Sequence, residues 1–220
     1  ESHGAEVWEI PMTKIAHLKP KVSWRRNVEK SKWLVFTSGA GVRALPGIIG
    51  DARKLAGKRI AVVGRSTAEI LKSIGLKADF VGPGPGAVAL VDRWPGKKAD
   101  PVLHLTGNEE GGGFARLLAR KGFSVKRLVA YRNEGPQTLA RPVRDALARE
   151  GADWVVFASG TAAERFRRLV PRWPKEPKVA VIGPATARAA RRRRWKVCVV
   201  AKDVSAESVL SGMLGRKNDR

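Results

Sequence analysis

The sequence predicts an α/β protein with two doubly wound parallel sheets, and two observations carry this prediction. Short apolar runs rich in Val, Ile and Phe alternate with helical stretches, which is typical of parallel strands covered by helices on both faces. One stretch also occurs twice in the 220 residues, as WLVFTSGAGVRAL from Trp33 and as WVVFASGTAAERF from Trp154. A duplicated strand–helix unit in a chain of this length favours two domains.

The repeat extends to two further pairs of segments. RIAVVGRSTA (59–68) matches KVAVIGPATA (178–187), and the glycine and strand at Gly4 match those at Gly122. The members of each pair lie 118 to 121 residues apart. With this alignment the later copy has a strand and most of a helix that precede its glycine, whereas the first copy has no room for them. We therefore expect the first domain to lack its N-terminal strand and helix.

Each element follows from the alternation of apolar and polar runs. Strands are predicted at 5–10, 33–37, 59–63, 78–81, 102–105, 124–131, 153–158, 178–182 and 196–201. Helices are predicted at 41–45, 66–74, 87–94, 112–121, 143–150, 161–169, 184–193 and 206–214, with a short helix in the polar segment 12–32.

The strand count assigns the domains. Residues 12–136 hold five strands and form domain 2, whereas the later set holds three strands and needs the strand at 5–10 as a fourth. Domain 1 is therefore predicted to be discontinuous, with residues 1–11 and 137–215. The chain crosses between the domains through linker segments 11–32 and 132–142, the second of which is rich in Gly, Pro and polar residues. Residues 216–220 are expected to be a disordered tail.

Charge and cysteine usage limit the functional classes. The net charge is +23, from 43 Lys and Arg against 20 Asp and Glu, so the partner is expected to be an anion: nucleic acid, an anionic membrane surface or a polycarboxylate or phosphate. No apolar run approaches the roughly 20 residues that span a bilayer. The single cysteine, Cys198, lies in an apolar run and is expected to be a buried thiol in a disulfide-free, cytoplasmic protein.

Four repeated loops are the candidate binding elements. Each follows a predicted strand and opens a helix, where unpaired backbone N–H groups can bind anions. Alternatively, their hydroxyl residues serve only as N-caps or first-turn residues of the helices. The candidate residues are Ser38, Gly39, Gly64, Thr67, Ser159, Gly160, Gly183 and Thr186.

Tyr131 is the candidate catalytic residue. It is the only tyrosine and stands at the end of a predicted strand, where a phenol can donate a proton to an oxygen leaving group; a packing role is the alternative. The three histidines lie at no metal-ligand spacing, and the glycine-rich loops 82–86 and 107–113 match no nucleotide-binding motif. No metal or cofactor is expected.

These segments, taken together, resemble the uroporphyrinogen-III synthase family. The resemblance covers nearly the whole chain, and the motifs stand in the family's order and at its spacing. They are WLVFTS (33–38), AVVGRSTAEILKSIGL (61–76), LVAYRN (128–133), DWVVFASG (153–160) and AVIGPATARAA (180–190).

The resemblance implies two flavodoxin-like, or HemD-like, domains joined by a two-segment linker. It implies a monomeric, cytoplasmic lyase of tetrapyrrole (haem, sirohaem or cobalamin) biosynthesis that cyclises hydroxymethylbilane, a polycarboxylate, to uroporphyrinogen III with inversion of the last pyrrole ring and without cofactor. Tyr131 matches the tyrosine proposed to assist departure of hydroxide, and the repeated hydroxyl residues match positions around the substrate. The alternatives are a basic protein that binds nucleic acid or another polyanion, although no base-reading motif is present, and a catalytically degenerate relative on the same scaffold.

Overall fold

The computed structural model describes residues 4–84, 86–108 and 113–215. The chain divides into two compact units. The central unit is Ile15–Asn133, and the split unit is Glu1–Lys14 together with Glu134–Arg220. The expected disorder of the tail at 216–220 lies outside the described residues, as does Gly112 at the start of one predicted helix.

The central unit is built on a six-stranded sheet. Its strands are β1 (Lys14–His17), β2 (Trp33–Phe36), β3 (Arg59–Val62), β4 (Phe80–Val81), β5 (Val102–Gly107) and β6 (Val125–Glu134), in the order β1-β6-β5-β2-β3-β4. The pairings of β6 with β5, β5 with β2, β2 with β3 and β3 with β4 are all parallel. The helices are α1 (Val22–Lys30), α2 (Gly39–Ile49), α3 (Arg65–Ser73), α4 (Gly86–Asp92) and α5 (Phe114–Arg120), with a 3₁₀ helix at Ala52–Leu55.

Both faces of this sheet are covered, which explains its continuous apolar strands. All residues of β2 and β5 are buried. Leu34 and Phe36 pack in one core cluster with residues of α2 and α3, while Trp33 and Val35 pack in another with residues of α4 and α5. Successive side chains of a strand point to opposite faces, so β2 contributes to both clusters.

The split unit carries a smaller parallel sheet. Its described strands are β7 (Trp154–Phe157), β8 (Lys178–Val181) and β9 (Val197–Val200), in that order. The helices are α6 (Arg141–Arg149), α7 (Gly160–Leu169), α8 (Pro184–Arg192) and α9 (Ala206–Met213). Arg165 of α7 is buried, and its Nη1 atom donates a hydrogen bond of 2.7 Å to the carbonyl oxygen of Met12.

The strand predicted at 5–10 is wrong. These residues form no strand, and most are exposed, including Val7 at 60%. The first strand is β1 instead, at the edge of the central sheet beside the ten-residue β6. The chain at the end of β1 hydrogen-bonds to the backbone of β6, because the Leu18 N–H donates a bond of 3.0 Å to the Ala130 carbonyl. The central sheet therefore has six strands rather than the five predicted.

Two local predictions also need correction. Helix α2 continues to Ile49 although it was predicted to stop before Pro46, because Ile48 and Ile49 beyond the proline are buried in the core. Cys198 is exposed rather than buried, since on β9 it alternates with the half-buried Val197 and Val199. Within the described ranges, no helix has the length and apolar character needed to cross a membrane.

Candidate active site

The structure brings together two of the predicted site residues, Ser38 and Tyr131. Ser38 follows β2 and is the N-cap of α2, where its Oγ atom accepts a hydrogen bond of 3.3 Å from the Gly41 N–H. The same Oγ atom lies 2.7 Å from the phenolic oxygen of Tyr131, and either hydroxyl can be the donor. Ser38 therefore caps a helix and also contacts the candidate acid.

The position of Tyr131 depends on Gly107 of the neighbouring strand. The register between β5 and β6 shifts at this point, so that Thr106 pairs with Val129 and Gly107 pairs with Tyr131. A Cβ atom on Gly107 would lie 2.6 Å from Cε2 and 2.9 Å from Cζ of the Tyr131 ring, closer than real Cβ atoms approach. Glycine is therefore required for this ring position.

Tyr131 is mostly buried, and a histidine lies against it. Its exposed fraction is 8%, and the ring of the exposed His17 meets the Tyr131 ring edge-to-face with 6.5 Å between centroids. His17 is on β1, the edge strand that the sequence patterns did not reveal. The phenol thus combines a buried ring with hydrogen-bonding access to Ser38.

A second hydrogen-bonded pair involves the residue before Ser38, and the ring of its histidine lies on the other face of the sheet, against Phe114. Thr37 Oγ1 is 2.9 Å from Nε2 of His104. His104 is fully buried on β5, and this burial lowers its pKa to about 4, with a smaller contribution from the positive charge of Arg127. The ring is therefore uncharged at neutral pH. The sequence patterns did not predict this role for His104, which they exclude as a metal ligand. Its one distinguishing feature in the sequence is that it is a polar residue in the otherwise apolar start of VLHLTG.

The start of α3 holds two more predicted residues, Gly64 and Thr67. Gly64 is the N-cap, in extended conformation, and a Cβ atom added to it would have no other atom within 4 Å. As a glycine, this N-cap supplies no side-chain hydrogen bond to the first N–H groups of α3. Thr67 is buried, and its N–H donates to the Gly64 carbonyl at 3.1 Å.

Gly39 has a packing role. A Cβ atom at Gly39 would collide with Cδ1 of Ile70, so glycine allows α2 and α3 to approach each other. Gly160 of the split unit has the same role, because a Cβ there would lie 2.6 Å from the Cβ of Ala189 on α8. Both glycines thus have a structural reason that does not involve a ligand.

The other residues of the second copy lie in the split unit. Ser159 is the N-cap of α7, and its Oγ accepts a hydrogen bond of 3.1 Å from the Ala162 N–H. Gly183 precedes α8 and has room for a side chain, since no atom lies within 4 Å of the place a Cβ would take, and Thr186 is buried in the first turn. Nothing in the described chain pairs Ser159 with a phenol as Ser38 is paired.

The chemical capacity of the central-unit site follows from its groups. It combines two neutral hydroxyl-containing pairs, Ser38 with Tyr131 and Thr37 with His104, at the end of β2. Such groups donate hydrogen bonds and transfer protons without a net charge. Among the described residues there is no cluster of three or more His, Cys, Asp or Glu side chains that could hold a metal ion.

Comparison with known proteins identifies relatives over nearly the whole chain. The sequence model of the family described as uroporphyrinogen-III synthase HemD matches residues 1–211. The uroporphyrinogen-III synthase of Synechococcus elongatus is 26% identical, over 94% of this chain and 84% of that protein. The porphyrin biosynthesis protein HemD of Ruminiclostridium josui is 24% identical over 96% of this chain, which spans 44% of that longer protein.

Solved structures show the same fold. The uroporphyrinogen-III synthetase of Helicobacter pylori superposes with a TM-score of 0.69 at 19% identity, over 94% of this chain and 91% of that one. A mutant uroporphyrinogen III synthase of Thermus thermophilus gives a TM-score of 0.65 at 22% identity, over 94% and 86% of the two chains. At these identities the likeness concerns the fold, while the match to the family model covers sequence as well. The chain belongs to the uroporphyrinogen-III synthase HemD family.

Proposed function

We propose that this chain is a uroporphyrinogen-III synthase that cyclises hydroxymethylbilane to uroporphyrinogen III. The observation that carries the proposal is the hydroxyl pair of Ser38 and Tyr131, 2.7 Å apart, in a chain of this family. The reaction releases one molecule of water and closes a macrocycle, and it needs a proton donor for the departing oxygen. A neutral phenol within reach of a second hydroxyl supplies one.

In this mechanism Tyr131 acts at the hydroxymethyl end of the substrate. The carbon–oxygen bond breaks, and the oxygen leaves as water after it takes a proton from the Tyr131 hydroxyl. Ser38 stabilises the resulting phenolate by donating a hydrogen bond to it. The substituted α-carbon of the last ring then attacks the azafulvene carbon to give a spiro intermediate. The bond from this α-carbon to its original methylene bridge breaks and leaves a second azafulvene on the third ring. The free α-carbon of the inverted last ring attacks that azafulvene and closes the macrocycle. The proton that is lost at ring closure restores the tyrosine, so the protons balance.

Substrate binding is assigned to the helix-opening loops. Ser38, Thr67, Ser159 and Thr186 would provide hydroxyl groups, and Gly64 and Gly183 would let backbone N–H groups approach the acetate and propionate side chains. Gly39 and Gly160, besides their packing role, would contribute backbone N–H groups of the same loops. The support is the open space at Gly64 and Gly183 and the surplus of cationic side chains, 43 against 20 acidic ones. Holding both ends of the linear substrate favours enzymatic closure over the spontaneous reaction, which gives the uninverted isomer.

The state and location of the enzyme are part of the proposal. We place it in the cytoplasm as a monomer that needs no metal or organic cofactor. The proposed chemistry uses only hydroxyl and backbone groups, and Cys198 is a free thiol. Gel filtration with light scattering checks the monomer, and activity after dialysis against a chelator checks the metal.

The decisive experiment adds the purified chain to freshly prepared hydroxymethylbilane and separates the product isomers. We expect the type III isomer to form faster than the type I isomer forms without enzyme. Type I product alone, at the spontaneous rate, would refute the activity and support a degenerate relative. If such an inactive protein bound duplex DNA with a steep dependence on salt, a polyanion-binding function would replace the proposal.

Tyr131→Phe tests the assigned acid. The variant keeps the ring and loses the hydroxyl, so we expect turnover to fall about a hundredfold and stability to fall by about 1 kcal/mol. Ser73→Ala is the matched control, because it also removes one hydroxyl from the central unit, one that bonds only to the Ile70 carbonyl of its own helix. An unchanged rate in Tyr131→Phe would remove the acid role.

A further inference from the structure

We propose that His104 is a positioning residue that orients the Thr37 hydroxyl as a hydrogen-bond donor to the substrate. This inference rests on the proposed function. Neither residue is among the predicted site residues. His104 is buried with one unpartnered ring nitrogen, its ring is neutral, and Thr37 stands at the end of β2.

A histidine at position 104 lowers the stability of the folded chain. It has no exposed surface, stands in a strand whose residues are all buried, and its Nδ1 atom has no hydrogen-bond partner in the part of the chain described. Burying a polar atom without a partner costs free energy that an apolar side chain of similar size would not cost. The bond from its Nε2 to Thr37 is the feature that a leucine at position 104 would lack.

The protonation of the ring determines the direction of that bond. Burial keeps the imidazole neutral, with one nitrogen protonated. Buried N–H donors without a partner are rarer than buried acceptors without one, so the proton belongs on Nε2 and the unpartnered Nδ1 keeps its lone pair. Nε2–H then donates to Thr37 Oγ1, which directs the hydroxyl proton of Thr37 elsewhere.

That free proton lies at the carboxyl end of β2, at the edge of the sheet where α2 begins. Thr37 is half-buried, immediately precedes Ser38 and makes no other side-chain hydrogen bond among the described residues. A hydroxyl donor at this place fits an acceptor oxygen of the substrate, such as a carboxylate. The ring of His104 is itself held, since Phe114 meets it edge-to-face with 5.0 Å between centroids and β2 and β6 flank it at Val35 and Arg127.

The repeat offers an internal comparison. The residue that corresponds to Thr37 in the second copy is Ala158, which has no hydroxyl group. The pair of Thr37 and His104 is therefore a feature of the central unit alone. Helix capping does not depend on the pair of Thr37 and His104. Ser38, which follows Thr37, and Ser159, which follows Ala158, cap their helices in the same way.

The first test is a double-mutant cycle with His104→Leu and Thr37→Val. We expect each variant to lower turnover about tenfold while the thermal midpoint of His104→Leu stays equal or rises, since leucine leaves no polar atom unpaired. The double variant should be no slower than either single variant, because both changes remove the same oriented hydroxyl. His104→Gln, whose amide nitrogen can take the place of Nε2, should recover most of the rate. Normal turnover in His104→Leu, or effects that multiply in the double variant, would overturn the proposal.

A second test does not depend on activity. With ¹⁵N-labelled histidine, the signal of His104 is identified by its absence in His104→Leu, and its nitrogen shifts report the tautomer. We expect protonated Nε2, whose proton exchanges faster with water in Thr37→Val. Protonated Nδ1 would overturn the proposed orientation. A protonated Nε2 in a wild-type protein that forms only type I product would instead refute the proposed function and, with it, the substrate contact.

Discussion

The two copies of the repeated strand–helix unit fold alike but have different surroundings. Strands β2 and β3 pair in the same register as β7 and β8, with Trp33 opposite Arg59 and Trp154 opposite Lys178. In both copies the cation lies over the tryptophan ring, at 5.7 and 5.5 Å from its centroid. The N-caps also agree, with φ and ψ of −157° and 155° in one copy and −154° and 155° in the other. The repeated residues therefore encode the same local structure twice.

The differences arise from strands that the repeat does not include. In the central unit, β5 and β6 supply His104 and Tyr131, and these contact Thr37 and Ser38 at the end of β2. Among the described residues, β7 has a strand on one side only, and its repeated serine has no phenolic partner. The duplicated segment therefore specifies a scaffold, whereas the neighbouring strands determine what chemistry the scaffold carries.

The largest expected effect comes from Gly107→Ala, which acts on one of these neighbours. The added Cβ would push the Tyr131 ring away from Ser38, so we expect turnover to fall about a hundredfold, as in Tyr131→Phe, and stability to fall by about 2 kcal/mol. Gly47→Ala is the control, because Gly47 lies on the exposed side of α2, where an added Cβ would have only Pro20 near it, at 3.9 Å. The control should keep full activity. Near-normal turnover in Gly107→Ala would show that the ring position is unimportant.

Acid should weaken the central unit more than the split unit. The pKa of His104 is about 4 in the folded chain and about 6.5 when unfolded, so between these values the unfolded chain binds the extra proton. The folded chain is therefore most stable, as far as His104 is concerned, above pH 6.5. Its free energy of unfolding falls as the pH falls toward 4, by about 2 kcal/mol between pH 7 and pH 5. Hydrogen exchange at the two pH values measures it in each unit. The described split unit contains no histidine, and His104→Leu should remove the difference.

The repeated valines test how far the surroundings of the two copies differ. Val35 has no exposed surface, whereas the matching Val156 is 50% exposed. We expect Val35→Ala to lower the free energy of unfolding by about 1.5 kcal/mol or more, and Val156→Ala to lower it by less than about 0.5 kcal/mol. Urea denaturation of the two variants compares them directly. Equal losses would show that β7 is as well covered in solution as β2.

The repeated serines give the smallest expected effect and the most direct comparison of chemistry. Ser38→Ala and Ser159→Ala should each cost about 1 kcal/mol of stability, because both residues are N-caps. Only Ser38→Ala should also lower turnover, by about tenfold, since of the two serines it is Ser38 that is hydrogen-bonded to Tyr131. Ser159→Ala should act on KM instead. A larger fall in turnover for Ser159→Ala would place the reacting groups in the split unit.

Much of the fold could be predicted from the sequence because its buried strands are continuous apolar runs bounded by turns. The runs at WLVF and WVVF gave strands at nearly their observed bounds. Segment 5–10 failed because alternation alone does not show whether a partner strand exists. The end of α2 was misplaced because burial of Ile48 and Ile49 outweighs the proline, which is a tertiary effect.

The candidate site was only partly predictable. The repeat indicated the loop at Ser38, and the uniqueness of Tyr131 drew attention to it, but their contact joins residues 93 positions apart. The roles of Gly107 and His104 depend on the register of β5 against β6 and β2, which periodicity does not specify. The sequence feature that could have drawn attention to His104 is a histidine within an otherwise apolar strand.

The bond between Arg165 and the Met12 carbonyl has a consequence for biosynthesis. It joins residues 153 positions apart, and the whole central unit lies between them in the chain. Contacts of such separation close a long loop and form late. During translation the central unit has all its residues before α7 exists, so it can fold first. The Met12 carbonyl therefore stays without this partner until Arg165 of α7 has been synthesised, more than a hundred residues later.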